Sequence, residues 1–171
     1  ECVLNGDMAD FEPCLDLFKE CIQDKGVVLD DKEVDNMMDL CKTGNLKLLT
    51  PLIQRSKDKN PGDKDKYTIL HSAAEHGQLK IVQYLVPLLS DKLPKTGPRK
   101  LPSTIGGTYT IDKETPLHRA ALNRHLSIIE FLVPHLNGDI NPARGDGQTA
   151  FNVAAAFGHL NVVTFYTSNL E

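Results

Sequence analysis

The chain has no tryptophan, and its four cysteines all lie in the first quarter of the sequence. Cys2, Cys14, Cys21 and Cys41 form no CxxC pair and have no metal-ligand spacing, which predicts reduced, packed thiols instead of a disulfide framework or a zinc site. No apolar run approaches the roughly 20 residues that a membrane-spanning helix needs. Residues 1–20 lack the basic start and apolar stretch of a signal peptide. We therefore expect a cytoplasmic protein that does not insert into membranes.

Short motifs for catalysis and nucleotide binding are missing as well. The sequence contains no GxGxxG, no GxxxxGK[ST], no HExxH and no GxSxG. Its six histidines are spread over the chain and form no repeated ligand pair. The sequence therefore predicts a chain that is not an enzyme, with no cofactor and no metal.

Charge is distributed unevenly along the 171 residues, whose total net charge is −4. Residues 1–40 contain 12 acids and 3 bases, and the remaining residues carry the compensating positive excess. An acidic segment is usually a solvated surface, although it could instead attract a basic partner. No basic stripe is interleaved with aromatic residues, so we expect no nucleic-acid binding.

Three segments of the chain align without gaps. They are Thr68–Gly77, Thr115–Arg124 and Thr149–Gly158, and each is followed at the same offset by an apolar patch. A fainter copy precedes them around Gly44, which lies 33 residues before Gly77. Internal repetition with a period of 20 to 50 residues is typical of solenoids and related arrays.

The repeated pattern resembles the ankyrin repeat, whose signature is Thr-Pro-Leu-His-x-Ala. Residues 115–121 carry this string completely, and the resemblance covers roughly residues 32–171. Several positions depart from the pattern, because Ile69 and Ala150 replace the proline, Asn152 replaces the histidine and Arg124 replaces the glycine. The resemblance implies an all-α fold, an ankyrin-type α-solenoid of stacked helix-turn-helix repeats with projecting turns.

Individual residues predict the same helices and turns independently of the resemblance to the family. Thr115 suits a helix N-cap and Pro116 the first helical turn. Gly77 suits the left-handed position that ends a helix. Pro87 and Pro134 stand near the end of the second helix of their repeats, and each predicts an early stop or a kink.

Two segments lie outside the regular repeats. We expect residues 1–31 to form an acidic N-terminal helical cap and residues 32–171 to form the ankyrin-repeat domain. A basic insertion at residues 91–110 separates two of the repeats, and its composition fits either a disordered loop or a small hairpin. Because the chain begins with Glu1, we expect it to be a piece of a longer protein.

The resemblance also implies where a partner binds. Ankyrin-like proteins bind other proteins or peptides on a concave side, which the tips of the turns and the exposed face of each first helix form. Carried over position by position, this surface gives the predicted partner-binding residues Lys66, Tyr67, Ser72, Glu75, His76, Lys113, Glu114, Arg119, Leu122, Asn123, Gln148 and Phe157. Phe157 could instead pack against a further repeat.

The leading hypothesis is a non-catalytic protein–protein interaction module, a scaffold or adaptor that is monomeric when isolated. One alternative is an ankyrin segment of a larger channel, kinase or ligase. Another is a substrate of asparagine hydroxylation, because ankyrin-like repeats resemble known targets where Asn follows an acid and an aliphatic residue. Asp139-Ile140-Asn141 fits that pattern and makes Asn141 the modification candidate.

Overall fold

The computed structural model describes residues 26–90, 114–135 and 140–169. The predicted N-terminal cap lies largely outside these ranges, and so do the 91–110 insertion and Lys113. Within them the chain forms helices that run in pairs. The helices are α1 Asp31–Thr43, α2 Leu46–Arg55, α3 Ile69–Glu75, α4 Leu79–Ser90, α5 Pro116–Leu122, α6 Leu126–Leu132, α7 Ala150–Ala156 and α8 Leu160–Asn169.

The pairs stack in chain order, which confirms the predicted all-α solenoid. The first helices α1, α3, α5 and α7 contact one another in sequence, and α4, α6 and α8 form a second row behind them. We number the repeats one to four, from α1–α2 to α7–α8. Neither helix of a pair could bury its apolar side alone, so each repeat depends on its neighbours.

Small residues hold the first helices together. Ala73, Ala74, Ala120 and Ala121 are all 0% exposed. Their size lets helix backbones approach closely, and a larger side chain there would force the row apart.

Helix α5 begins directly after Thr115, the residue predicted to cap it. The backbone of Thr115 is extended, with φ −109° and ψ 160°, and Pro116 occupies the first turn. Thr68 and Thr149 precede α3 and α7 in the same conformation. The N-cap prediction for Thr115 is therefore confirmed.

The turn between the two helices of a repeat requires a left-handed residue. Gly44, Gly77 and Gly158 have φ values of 72°, 73° and 71° at this position. Arg124 takes the same place with φ 62°, although it carries a Cβ. The third repeat therefore holds strain that glycine relieves in the others.

The two prolines of the Leu-Val-Pro strings behave differently. α6 ends at Leu132 and Pro134 lies in the short 3₁₀ turn Val133–His135, so the early stop predicted there is confirmed. Pro87 lies inside α4, which continues to Ser90, so the helix does not stop early at Pro87, and the alternative prediction of a kink there stays a prediction. The Pro87 ring is exposed, so it meets solvent rather than the core.

Candidate functional site

We call the turn before a first helix a finger, and the fingers before α3 and α7 are short hairpins. The Arg144 N–H donates to the Gln148 carbonyl (2.8 Å) and the Asp63 N–H to the Tyr67 carbonyl (3.0 Å). Lys66 has φ 60° at the position where the later finger has Gly147, with φ 80°. We call the exposed side of the first helices, together with the fingers, the inner face.

Two signature histidines connect the first helices to the next finger. Nδ1 of His118 accepts the Thr115 N–H (3.3 Å), and its Nε2–H donates to the Gln148 carbonyl (3.1 Å). His71 repeats the arrangement, with the Thr68 N–H at 3.1 Å and the Glu114 carbonyl at 3.1 Å. A backbone N–H can only donate and a carbonyl can only accept, so the hydrogen-bond pattern assigns both rings to the neutral Nε2–H tautomer. Burial lowers the pKa of His118, which favours this neutral form.

Tyr67, Glu75 and Arg119 lie together on the inner face, across the boundary between repeats two and three. The Tyr67 hydroxyl donates to the Glu75 carboxylate. The guanidinium of Arg119 lies over the Tyr67 ring, 5.3 Å from its centroid, and its Nη1 is 3.7 Å from Glu75. Burial, followed by the hydrogen bond to Glu75, raises the pKa of Tyr67, so this hydroxyl stays protonated and donates.

The same set of ion pairs continues to repeat four through Glu114. This carboxylate accepts from Arg119 Nη2 at 2.7 Å and from Arg144 Nη1 at 3.3 Å. Arg144 also pairs with Asp146 at 2.9 Å and donates to the Gln148 side chain at 3.1 Å. We call this series of side chains the inner-face network. The Arg144 guanidinium holds the pKa of Asp146 below its usual value.

Two of the predicted partner-binding residues are not on the exposed surface where the sequence placed them. Ser72 is 0% exposed because it lies between α3 and α1, where its hydroxyl donates to the Met38 carbonyl (3.2 Å). Glu114 was expected at a finger tip but is only 8% exposed, since Arg119 and Arg144 cover it. Both placements are corrections to the sequence-based surface.

Apart from Lys113, which lies outside the described residues, the other predicted residues are half-buried or exposed. Tyr67, Glu75, Arg119 and Leu122 are half-buried. Phe157 is 62% exposed. Four polar residues are exposed: Lys66, His76, Asn123 and Gln148. Their role in binding stays a prediction.

Sequence reasoning missed Arg144, although it connects Glu114 to the last finger. It also missed a repeated bond between neighbouring repeats. Gln78 Nε2 donates to the Lys42 carbonyl (3.0 Å), His125 Nε2 to the Glu75 carbonyl (2.9 Å) and His159 Nε2 to the Leu122 carbonyl (2.8 Å). Each donor directly follows the left-handed residue, and this fixed offset was a signal in the sequence.

Asn141 has a structural role that a second asparagine shares. Its Oδ1 accepts the Phe151 N–H (3.1 Å), and Asn60 Oδ1 accepts the Leu70 N–H in the same way (3.1 Å). Each asparagine precedes a buried proline and fastens its finger to the following helix. Asn141 is half-buried, and its hydroxylation stays a prediction.

No part of the described structure suggests catalysis. Burial raises the pKa of Cys41 to about 12, so this fully buried thiol is not a nucleophile. Among the described residues, no group of three or more His, Cys, Asp or Glu side chains is placed to hold a metal. Within the same ranges, no helix combines the length and apolar character needed to cross a membrane.

The stacked helix pairs agree with the comparison to known families. The family described as Ankyrin repeats (3 copies) matches residues 7–96 and 99–167. The chain belongs to the ankyrin-repeat family. The match begins at residue 7, within the segment expected to be a cap, and that domain boundary stays a prediction.

A solved structure shows the same ankyrin fold. It is a chain from the crystal structure of the yeast ribosomal protein Rps3 in complex with its chaperone Yar1, with a TM-score of 0.63 and 20% sequence identity. The similarity covers 82% of the present chain and 95% of that chain. The search of curated proteins found no match. Ankyrin repeats form a protein-interaction module, and this is the class of function that the family gives to the chain.

Proposed function

We propose that the chain is a non-catalytic scaffold or adaptor that binds a protein or peptide partner along its inner face. The observation that carries the proposal is the inner-face network, in which Tyr67, Glu75, Arg119, Glu114 and Arg144 hold one another across three repeats. When a partner binds, long side chains at the interface lose conformational freedom, which costs about 0.5–1.5 kcal/mol of binding free energy for each side chain. Side chains that already hold one another before binding lose less of that freedom, so the cost is smaller.

The residue types on this face also fit a binding role. Tyrosine and arginine are enriched among the residues that dominate interface energies. The half-buried Leu122 and the exposed Phe157 add apolar area toward the C-terminal end of the face. We infer a partner that buries an apolar side chain near Leu122 and makes polar contacts beside Tyr67 and Arg119.

The test uses linear peptides selected from a random phage-displayed library against the wild-type chain. Arg119 is a poor target for substitution, since its loss would leave the buried Glu114 with one cationic partner fewer and destabilise the fold. Leu122→Ala and Asn123→Ala avoid this problem, because neither side chain belongs to the inner-face network. We expect them to weaken the selected peptides about 5- to 30-fold, or about 1–2 kcal/mol.

Matched controls lie on the second helices. Lys80, Gln83 and Glu130 are exposed there, and their alanine variants should leave affinity within about twofold. Loss of binding in these controls, with the inner-face variants unaffected, would place the partner on the opposite side and refute the proposal. A chain that is part of a larger channel, kinase or ligase would be expected to use the same face.

A further inference from the structure

Arg124 stands at a backbone position where the other three repeats have glycine. Its φ of 62° lies in the left-handed region, together with those of Gly44, Gly77 and Gly158. In this conformation a Cβ lies too close to the following carbonyl oxygen, so the folded state loses stability that glycine would keep. Backbone strain of this kind is found mainly at functional positions. The fold does not require an arginine here, because glycine serves in the other repeats.

The guanidinium of Arg124 is held in place but is not neutralised. Its Nε–H donates to the side-chain oxygen of Asn161 (3.2 Å), on helix α8 of the next repeat. Arg124 is exposed, and it forms no ion pair within the described ranges. Both Nη groups, with four N–H donors, are therefore left for another molecule. A planar group that is oriented on one side and open on the other suits the binding of an anion.

Other cations of the inner face have acids close by. Arg119 pairs with Glu114 at 2.7 Å, within the inner-face network. Lys66 shares the left-handed backbone with φ 60°, but residues 63–66 of its finger include two acids and two bases, which leaves no net charge. Arg124, in contrast, has no acid within five residues on either side in the chain. Its positive charge is therefore not compensated locally.

We propose that Arg124 binds a carboxylate of the partner, from an aspartate or glutamate side chain that lies next to the apolar contact at Leu122. The inference rests on the proposed function and names the chemistry of one partner residue. The two Nη groups of a guanidinium match the two oxygens of a carboxylate. Phosphate groups on proteins are recognised by clusters of arginines, whereas Arg119 is already paired with Glu75 and Glu114. A single free guanidinium therefore favours a carboxylate.

The peptides selected against the wild-type chain test the inference through their own residues. They should share an Asp or Glu, and its replacement by Asn or Gln should weaken binding to the wild-type chain at least about tenfold, as expected for a hydrogen bond between charged groups. The acidic peptide and its amide version should bind the Arg124→Gly chain equally, within about twofold. This double-mutant cycle separates the proposed pair from all other contacts.

Two further variants test how the guanidinium acts. Arg124→Lys keeps the charge and the left-handed backbone but loses the planar fork, so it should keep only part of the preference for the acidic peptide. Asn161 is a positioning residue, and Asn161→Ala should weaken the acidic peptide while leaving its amide version unchanged. A purely structural role of Asn161 would weaken both peptides alike and would contradict this assignment.

The stability of Arg124→Gly separates a binding role from a structural one. Because the substitution removes strain, the chain should be at least as stable as the wild type, with an unfolding equilibrium constant lowered by up to about fivefold in urea titrations. An arginine retained for the fold, through Asn161 and its place at the C-terminus of α5, predicts instead a less stable chain with unchanged peptide affinity. That result would overturn the inference.

Lys80→Gln is the matched control, since it removes a positive charge from an exposed site on α4 and should leave the preference for the acidic peptide intact. An equal loss in this control would mean that only the net charge matters, and it would overturn the inference. Peptides that depend on Leu122 and Asn123 but not on Arg124 would overturn it while the proposed function stands. Peptides that depend on neither Leu122 nor Asn123 would refute the proposed function, and the inference with it.

Discussion

The two inner repeats and the last repeat have nearly the same signature but different surroundings. In repeats two and three, the first helix is covered on both sides and its alanines are fully buried. In repeat four, Ala154 is buried but Ala155 is exposed, one residue further along the helix. A repeat sequence therefore specifies a helix pair, while the burial of its side chains depends on the helices packed against that pair. Substituting equivalent positions in the two regions tests this difference.

The largest difference in stability between equivalent positions should come from introducing a charge at Ala121, which is buried, and at Ala155, which is exposed. Ala121→Glu would place a carboxylate between α5 and its neighbours, and we expect it to lower the free energy of unfolding by at least about 3 kcal/mol. Ala155→Glu should change the stability of the folded monomer by no more than about 0.5 kcal/mol, because the side chain reaches solvent. Urea unfolding monitored by circular dichroism measures both at low protein concentration. A soluble Ala121→Glu chain with an unchanged midpoint would contradict the packing described above.

A second contrast separates backbone strain from steric contact. Gly77 and Gly158 have nearly the same φ, but a Cβ on Gly77 would lie 2.7 Å from the His125 ring, whereas no atom of the described ranges lies within 4 Å of one on Gly158. Gly158→Ala should therefore cost about 1 kcal/mol, from the left-handed backbone alone. Gly77→Ala should cost about 2 kcal/mol or more, because His125 must also move and lose its bond to the Glu75 carbonyl. Equal losses of stability in the two variants would mean that the contact with His125 is unimportant.

The sequence predicted those parts of the fold that depend on neighbouring residues in the chain. Thr115, Pro116 and Gly77 act through local backbone geometry, so their positions could be assigned directly. Ser72 was misplaced because its burial depends on α1, which is distant in sequence and lacks the repeat signature.

The inner-face network could not be predicted from the sequence, because it also depends on residues that are distant in the chain. Glu114 and Arg144 are 30 residues apart, and their contact depends on how closely two fingers stack. Single residues such as Tyr67 and Arg119 could be predicted as partner-binding residues, because tyrosine and arginine are common in interfaces. Their contacts with each other and with Glu75 are seen only in the structure, and these contacts cover part of each side chain.

The pH dependence of stability should reveal the neutral His118. Its pKa is lowered by burial in the folded chain, so the unfolded chain binds the proton more readily. Stability should therefore be fully present above about pH 6.5 and should fall as the pH drops below that unfolded value, by at most about 1.4 kcal/mol per pH unit.

The matched variant for this experiment is His118→Asn, which copies the residue of the last repeat. It should be less stable at neutral pH but should show a smaller decline between about pH 6.5 and pH 5. An unchanged slope in the His118→Asn chain would mean that another group causes the decline.

The last comparison concerns two tyrosines with opposite surroundings. Tyr67 donates to Glu75, so Tyr67→Phe should lower stability by about 1–1.5 kcal/mol. Tyr166 is 0% exposed, and its hydroxyl has no hydrogen-bond partner among the residues that the structure describes, at a position where the inner repeats have Leu85 and Leu132. Removing an unsatisfied buried hydroxyl takes away a desolvation cost, so Tyr166→Phe should leave stability unchanged or raise it by up to about 1 kcal/mol. Urea midpoints of the two variants measure the difference. A clear loss in Tyr166→Phe would mean that its hydroxyl finds a partner in solution, and that repeat four is packed more like the inner repeats than its exposed alanine indicates.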